Sequence, residues 1–315
     1  MSARTLRQKY NRQFARMDKY PTHVAYLIVL GYLAQILAAV GIGAYLLTLP
    51  YAWQIPVISF VLMLFIGTRM RGLNNIIHEC SHATFTNDRS QNTLIGKFCA
   101  VLLFNSFCDY RDEHLTHHAH LGDYDHDRDL QGIQGLKLHE PLSARVILRH
   151  IVTPLIGRHL PYYLNLNLSA RDGMLSMFFK GFLLVVVVVC ALLFPMTTLL
   201  FVVVPFALFY SALNYWADCL DHAGIVSSGD DLDASRNILA PRMIRRLFFP
   251  RNDCFHLVHH LFPHVPARHL ETSHKLLELD DEYCCLPNAV PTRQLDAHEL
   301  TPAYSRESTV SDCGA

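Results

Sequence analysis

The chain has 315 residues, 51% of them hydrophobic and only 17% charged, and its 27 basic and 27 acidic side chains cancel. That apolar excess, with a mean hydropathy of +0.19, argues against an ordinary soluble domain, and no nucleic-acid partner is expected. Charge is also unevenly placed: no Lys, Arg, Asp or Glu occurs in residues 20–68 or 181–217.

In chain order, residues 1–23 form a basic segment carrying Arg4, Arg7, Lys9, Arg12, Arg16 and Lys19. It is expected to lie on lipid headgroups or to serve only as a topogenic charge cluster. A helix of about 20 apolar residues crosses a bilayer, so each charge-free block holds two spans and a turn. Spans are predicted over about residues 24–47, 53–68, 174–194 and 197–213. Pro56 and Pro205 fall inside them, which transmembrane helices tolerate. The first apolar run is too long for a cleavable signal and a second follows almost at once. The turns near Pro50 and Pro195 carry no charge, so all basic residues fall on the opposite side, which the positive-inside rule makes cytoplasmic. The expected fold is therefore all-α and integral to the membrane, with four transmembrane helices in two hairpins and a cytoplasmic helical cap. A membrane and catalytic domain over residues 24–286 and a polar tail over 287–315 complete the division. Residues 94–107 are short for a span and are expected to form a re-entrant or interfacial helix. Residues 146–168 read as an amphipathic surface helix or a peripheral helix of the cap. The nine cysteines include no Cys-x-x-Cys pair; Cys80, Cys108, Cys219, Cys254, Cys284 and Cys285 map to the cytoplasmic side, where thiols are expected to stay reduced.

Three histidine clusters sit just outside the apolar stretches. They are His78-Glu79-Cys80-Ser81-His82, His114-Leu115-Thr116-His117-His118 and His256-Leu257-Val258-His259-His260. Residues at i, i+3 and i+4 share a helix face, so each cluster is expected to present its rings to one side. Imidazole suits iron, zinc, copper or nickel. Eight rings exceed what one tetrahedral ion can use, which points to more than one metal at a membrane surface. The first cluster also satisfies His-Glu-x-x-His, the zinc-protease pattern with Glu79 as general base. An intramembrane metalloprotease needs only one further ligand, however, and not two more clusters. A metal transporter would instead need ligands strung across the bilayer. Cys80 and Cys254 stand near the clusters as possible soft ligands, but small buried residues are the plainer reading.

Motif order and hairpin order together resemble the membrane fatty acid desaturase and hydroxylase superfamily, over nearly the whole chain from Tyr26 to His269. The resemblance implies metal ligation by His78, His82, His114, His117, His118, His256, His259 and His260, with His222 as a ninth ligand shortly after the fourth span. It implies two iron ions (Fe2+/Fe3+) and dioxygen-dependent introduction of a C=C bond into an acyl chain, with acyl hydroxylation at the same site as the alternative. Breaking an unactivated C–H bond needs an oxidant made from dioxygen, which redox-active iron supplies and zinc does not. Asp218 falls where some members place an Asn near the metal, and is expected to support the ligands from behind, with Glu79, Asp112 and Glu113 as further candidates. The acidic stretch His120 to Asp129 is expected to be a hydrogen-bonded loop orienting the second cluster's helix. His120, His126 and His264 are left outside the ligand set. No haem, ferredoxin or dinucleotide-binding motif is present, so electrons are expected from a separate ferredoxin or haem protein. The substrate is expected to be an acyl lipid or acyl carrier, and Arg242, Arg245, Arg246 and Arg251 are candidates to hold an anionic carrier, headgroup or redox partner.

Overall fold

The computed structural model describes residues 3–164, 166–226, 231–286 and 288–290. The expected polar tail lies outside the described residues except for 288–290. The described chain is helical, and its β content is one isolated bridge between Tyr20 and Thr86.

Four helices are long and apolar enough to cross a membrane. They are α2 (Thr22–Leu46), α3 (Gln54–Ser81), α7 (Met174–Leu193) and α8 (Pro195–His222). Their sequences explain both length and placement. On α7, Leu175, Phe182, Val185 and Leu192 are all exposed, a belt that water would not tolerate and lipid would. The contact faces use small residues: the Gly43 backbone approaches the Phe201 ring, Gly72 approaches Tyr32, and Gly67 approaches Phe209. Close approach of this kind is how helices pack where lipid removes the hydrophobic drive between them.

Helices α3 and α8 continue well beyond their apolar stretches. The first half of α3 is membrane-like, whereas Arg69, Arg71, Asn75 and Glu79 in its second half are buried. On α8, Pro205 removes one backbone donor, and wide π-helical turns at Leu199–Val203 and Pro205–Tyr210 carry the helix past it. Such local widening re-satisfies the freed carbonyl without ending the helix. One continuous rod thus delivers His222 from the membrane.

Shorter helices gather around those two rods. Helix α4 (Arg89–Leu102), with 14 residues, is too short to span, and packs Ile95 and Cys99 inward while exposing Leu94 and Phe98. Helix α5 (Phe107–His120) starts at Ser106, whose Oγ accepts from the Asp109 N–H at 3.2 Å. The Asp172 carboxylate accepts from the Phe107 and Cys108 N–H groups at 2.8 and 2.9 Å, an anion at a helix N-terminus where the dipole favours it. Helix α6 (Ala144–Leu155) exposes Ile147, Leu148, Ile151 and Leu155, the amphipathic pattern its sequence predicts. Helices α9 (Arg242–Phe248), α10 (His256–Leu261) and α11 (Leu270–Leu277) follow.

The N-terminal segment does more than carry charge. Residues Ala3–Phe14 form helix α1, whose Leu6 and Phe14 are fully buried, with the Phe14 and Phe262 rings 4.7 Å apart. Arg7 donates to the last carbonyls of α10, to Leu261 O at 2.9 Å and His260 O at 3.0 Å. Those carbonyls have no partner within a helix of six residues, and a guanidinium satisfies them.

Candidate metal centre

The nine histidines come together in two groups, each able to hold a metal. His78, His82, His114, His118 and His259 form one; His117, His222, His256 and His260 form the other. Within each group the potential ligand atoms lie within 4.8 Å of one another. The groups touch, with the His118 and His260 rings stacked at 4.4 Å.

Helix geometry explains the division. In His-x-x-His-His the first and last rings are four residues apart and lie on one stripe, while the middle ring points about 100° away from the last. On α5, His114 and His118 enter the first group and His117 the second; on α10, His256 and His260 enter the second and His259 the first. Each motif therefore serves both groups, in opposite proportions. This differs from the sequence expectation of a single face per cluster, because two neighbouring centres can each take part of one helix. His78, from the last turn of α3, and His82, which ends it, complete the first group; His222 completes the second.

The nitrogen separations suit a shared ion. His78 and His259 Nε2 are 2.8 Å apart, His82 and His114 Nε2 2.9 Å, His118 and His259 Nε2 2.9 Å, and His222 and His256 Nε2 2.9 Å. Two nitrogens ~2.1 Å from a common ion and ~90° apart would be separated by ~3.0 Å. Proton accounting agrees. His222 Nδ1 sits 2.8 Å from the Ala234 carbonyl and His117 Nδ1 sits 2.9 Å from an Asp127 carboxylate oxygen. An acceptor there fixes the proton on Nδ1 and leaves the Nε2 lone pair directed inward. On His117 and His222 that lone pair is available to a cation.

Burial, reinforced by neighbouring imidazoles, holds His82, His114, His118, His256, His259 and His260 well below the usual imidazole range. These rings are neutral near pH 7, the form that binds metal. His117 differs. Burial pushes it down, but the Asp127 hydrogen bond and charge, with Asp129 and Asp218 behind, leave it raised.

Carboxylates surround the groups unevenly. Asp218 accepts from the Tyr163 hydroxyl at 2.6 Å. Glu79 is buried and paired with Arg251, whose Nη2 reaches Oε2 at 3.0 Å. A protease base must face a metal-bound water, so this pairing speaks against Glu79 in that role. Asp112 pairs with Arg171 at 2.7 Å and Glu113 with Arg128 at 3.8 Å, in place of a histidine of either group. The carboxylates that do approach ligand-candidate rings are Asp127 on His117, Asp221 at 3.6 Å from His256 Nδ1, and Asp129 at 3.7 Å from His114 Nδ1. Asp127 and Asp129 lie in the acidic stretch after the second cluster; Asp221 directly precedes His222, and nothing in its spacing distinguished it from Asp218. The His120 and His126 rings lie 5.4 Å apart and tilted by 37°, His126 meets Asp123, and neither they nor His264 joins a group. Cys80 and Cys254 are buried free thiols, and burial pushes Cys254 up to about 12, which keeps it protonated.

Helix α3 also clamps the segment leading into the third cluster. Arg69 donates to Arg246 O and Leu247 O at 3.1 Å, Asn75 Nδ2 donates to Pro250 O at 2.8 Å, and Arg71 pairs with Asp253 and donates to Asn214 at 2.9 Å. Arg251 and Asn252 take left-handed backbone conformations, φ 67° and 59°, strained for such residues and held by these bonds.

The profile of the fatty acid desaturase family matches residues 53–286, and the chain belongs to that family. It is 25% identical over 256 residues to dihydrorhizobitoxine desaturase of Bradyrhizobium elkanii, covering 76% of this chain and 72% of that protein. It is 31% identical over 88 residues to sn-1 oleoyl-lipid 12-desaturase of Anabaena variabilis, covering 28% of this chain and 24% of that one. A chloroplastic sn-2 acyl-lipid omega-3 desaturase (ferredoxin) of Arabidopsis thaliana is 24% identical over 107 residues, covering 34% and 24%. The chain is an oxidoreductase of desaturase type.

Proposed function

We propose that this protein is a dioxygen-dependent, membrane-bound acyl desaturase with two irons. His78, His82, His114, His118 and His259 would hold one iron, and His117, His222, His256 and His260 the other. The observation that carries the reading is the sorting of nine imidazoles into two touching groups beside an apolar cavity of about 970 Å³. That cavity follows one face of α8 through Leu213, Ala217 and Leu220 to Ala223, the neighbour of His222. Its volume lies in the range of ligand-binding pockets. Bound irons would supply the oxidation by dioxygen that an unactivated C–H bond requires.

The protein's own residues divide the remaining work. Asp127 and the Ala234 carbonyl orient His117 and His222; Arg251, Arg71 and Asn75 fix the approach to the third cluster; Ile151, Leu155 and Leu213 exclude water from the alkyl chain. Overall, a CH2–CH2 unit loses two hydrogens, dioxygen leaves as two waters, and two electrons with two protons come from outside. A ferredoxin or haem protein is the proposed donor, in keeping with relatives named for ferredoxin. In the membrane we place α2 with α3 and α7 with α8 as two hairpins, and the histidine-bearing cap on the cytoplasmic face, because the basic residues lie outside the charge-free blocks. Residues 24–286 form the membrane and catalytic unit of this proposal.

Purified protein in lipid nanodiscs, supplied with a ferredoxin system and dioxygen, tests it. Mass spectrometry of the acyl chains is expected to find a product lighter by two hydrogens. A product heavier by one oxygen would make the enzyme a hydroxylase, and unchanged acyl chains would refute the reading.

A further inference from the structure

Helix α9 stands between two pockets of opposite character. On one side Ile244 and Phe248 line the apolar cavity; on the other Arg242, Arg245 and Arg246 line a pocket of about 440 Å³ with Arg69 and Arg251. Phe249 borders both. A single glutamate, Glu271, lies among the residues lining the basic pocket.

The charges there do not balance. Arg251 is held by Glu79, and Arg245 by Glu271 at 3.2 Å, a carboxylate that Lys275 approaches equally closely. Arg69 donates to the Arg246 and Leu247 carbonyls and from Nε to the Thr68 hydroxyl at 3.2 Å, and its guanidinium lies 5.7 and 5.1 Å from the Tyr32 and Phe65 rings. Among the described residues, Arg69, Arg242 and Arg246 have no carboxylate partner, and Arg245 Nε is buried with no hydrogen-bond acceptor. Converging guanidiniums with free donors match a phosphate, which offers several acceptor oxygens to planar forks. Depth identifies its source. Arg69 is the first charged residue after the charge-free block, and Tyr32 belongs to the α2 span. The pocket therefore lies where α3 leaves the hydrocarbon, at the level of lipid headgroups.

We propose that the two pockets bind one glycerophospholipid, its phosphodiester against Arg69, Arg242 and Arg246 and an acyl chain in the apolar cavity. This rests on the desaturase reading and adds to it the form in which the acyl chain arrives: esterified to a phospholipid.

Binding can be measured without turnover. The delipidated full chain in detergent is titrated with phosphatidylglycerol, with diacylglycerol, which keeps the chains and lacks the phosphate, and with glycerol 3-phosphate, which does the reverse. Phosphatidylglycerol is expected to bind at least about tenfold tighter than either. The exposed pair Arg242→Gln/Arg246→Gln should weaken it on the order of 100-fold, two charge-assisted bonds being lost, while Arg242→Lys/Arg246→Lys keeps most of the affinity. Thermal unfolding identifies a misfolded double variant, in which case Arg246→Gln alone carries the comparison, with a loss of about tenfold expected. Diacylglycerol binding as tightly as phosphatidylglycerol, glycerol 3-phosphate binding as tightly, or a folded Gln variant with unchanged affinity would each overturn the proposal. Should phospholipid binding fail while another acyl form is desaturated, this inference alone falls; should no acyl form react while phospholipid still binds, the desaturase reading falls instead.

Discussion

Asp127 offers the sharpest test of how the second histidine group is held, because its carboxylate performs two separable tasks. One oxygen meets His117 Nδ1 at 2.9 Å, and the other accepts from the Leu130 N–H at 3.0 Å, capping the short helix Arg128–Gly132. Asp127→Ala removes both. Asp127→Asn keeps an oxygen for the cap and removes the charge that steadies His117. Loss of an N-cap costs about 1 kcal/mol, whereas loss of a partner behind a ligating histidine lowers metal affinity about 10–100-fold. That range corresponds to about 1.4–2.7 kcal/mol. The two variants should therefore agree in metal affinity and differ in stability by about the cap energy. Iron titration of metal-stripped protein, with thermal unfolding of the same samples, measures both. Asp127→Asn with wild-type affinity at both sites would refute the claim that this carboxylate orients His117 for a metal.

Three further outcomes follow from the packing. Arg251→Ala leaves the buried Glu79 carboxylate unpaired, so thermal and denaturant unfolding should show a loss of about 3–5 kcal/mol; Glu79→Gln in the same chain should recover part of it. Gly67→Ala places a methyl 2.6 Å from Phe209 Cβ and 3.2 Å from its backbone, positions that cannot swing away, and a destabilisation of about 1–3 kcal/mol is expected, whereas Gly31→Ala, with open space around it, should be silent. The hydrogen bonds from Lys9 and Tyr10 draw Asp280 below its ordinary 3.8 against the opposing pull of burial. The stability it contributes is present above that value and is lost as pH falls through the lower folded one; limited proteolysis should release α1 in that acid window and not at pH 5 to 7.

Much of this architecture could be read from the sequence. The four spans follow from charge-free runs, which no other structure needs at that length, and the three clusters follow from helical spacing. What sequence could not supply was the division of each His-x-x-His-His motif between two centres, because spacing gives angles about one helix axis and not the position of a neighbouring helix. The N-terminal helix shows a different limit: four basic residues dominate its pattern, yet the fully buried Leu6 and Phe14 decide where it packs. The carboxylates divide in the same way. Asp112 and Glu113 are adjacent in sequence to His114, but at i−2 and i−1 they project from other faces of α5 and meet arginines. Asp127 lies ten residues beyond His117 and reaches it because the loop folds back.

The account rests on two irons bound by nine histidines, and metal analysis of the purified protein tests it most directly. Inductively coupled plasma mass spectrometry should find close to two irons per chain, falling towards one in both His118→Ala and His117→Ala, with Mössbauer spectra showing that a different site is lost in each. A single zinc per chain, or iron content unchanged by both substitutions, would contradict it.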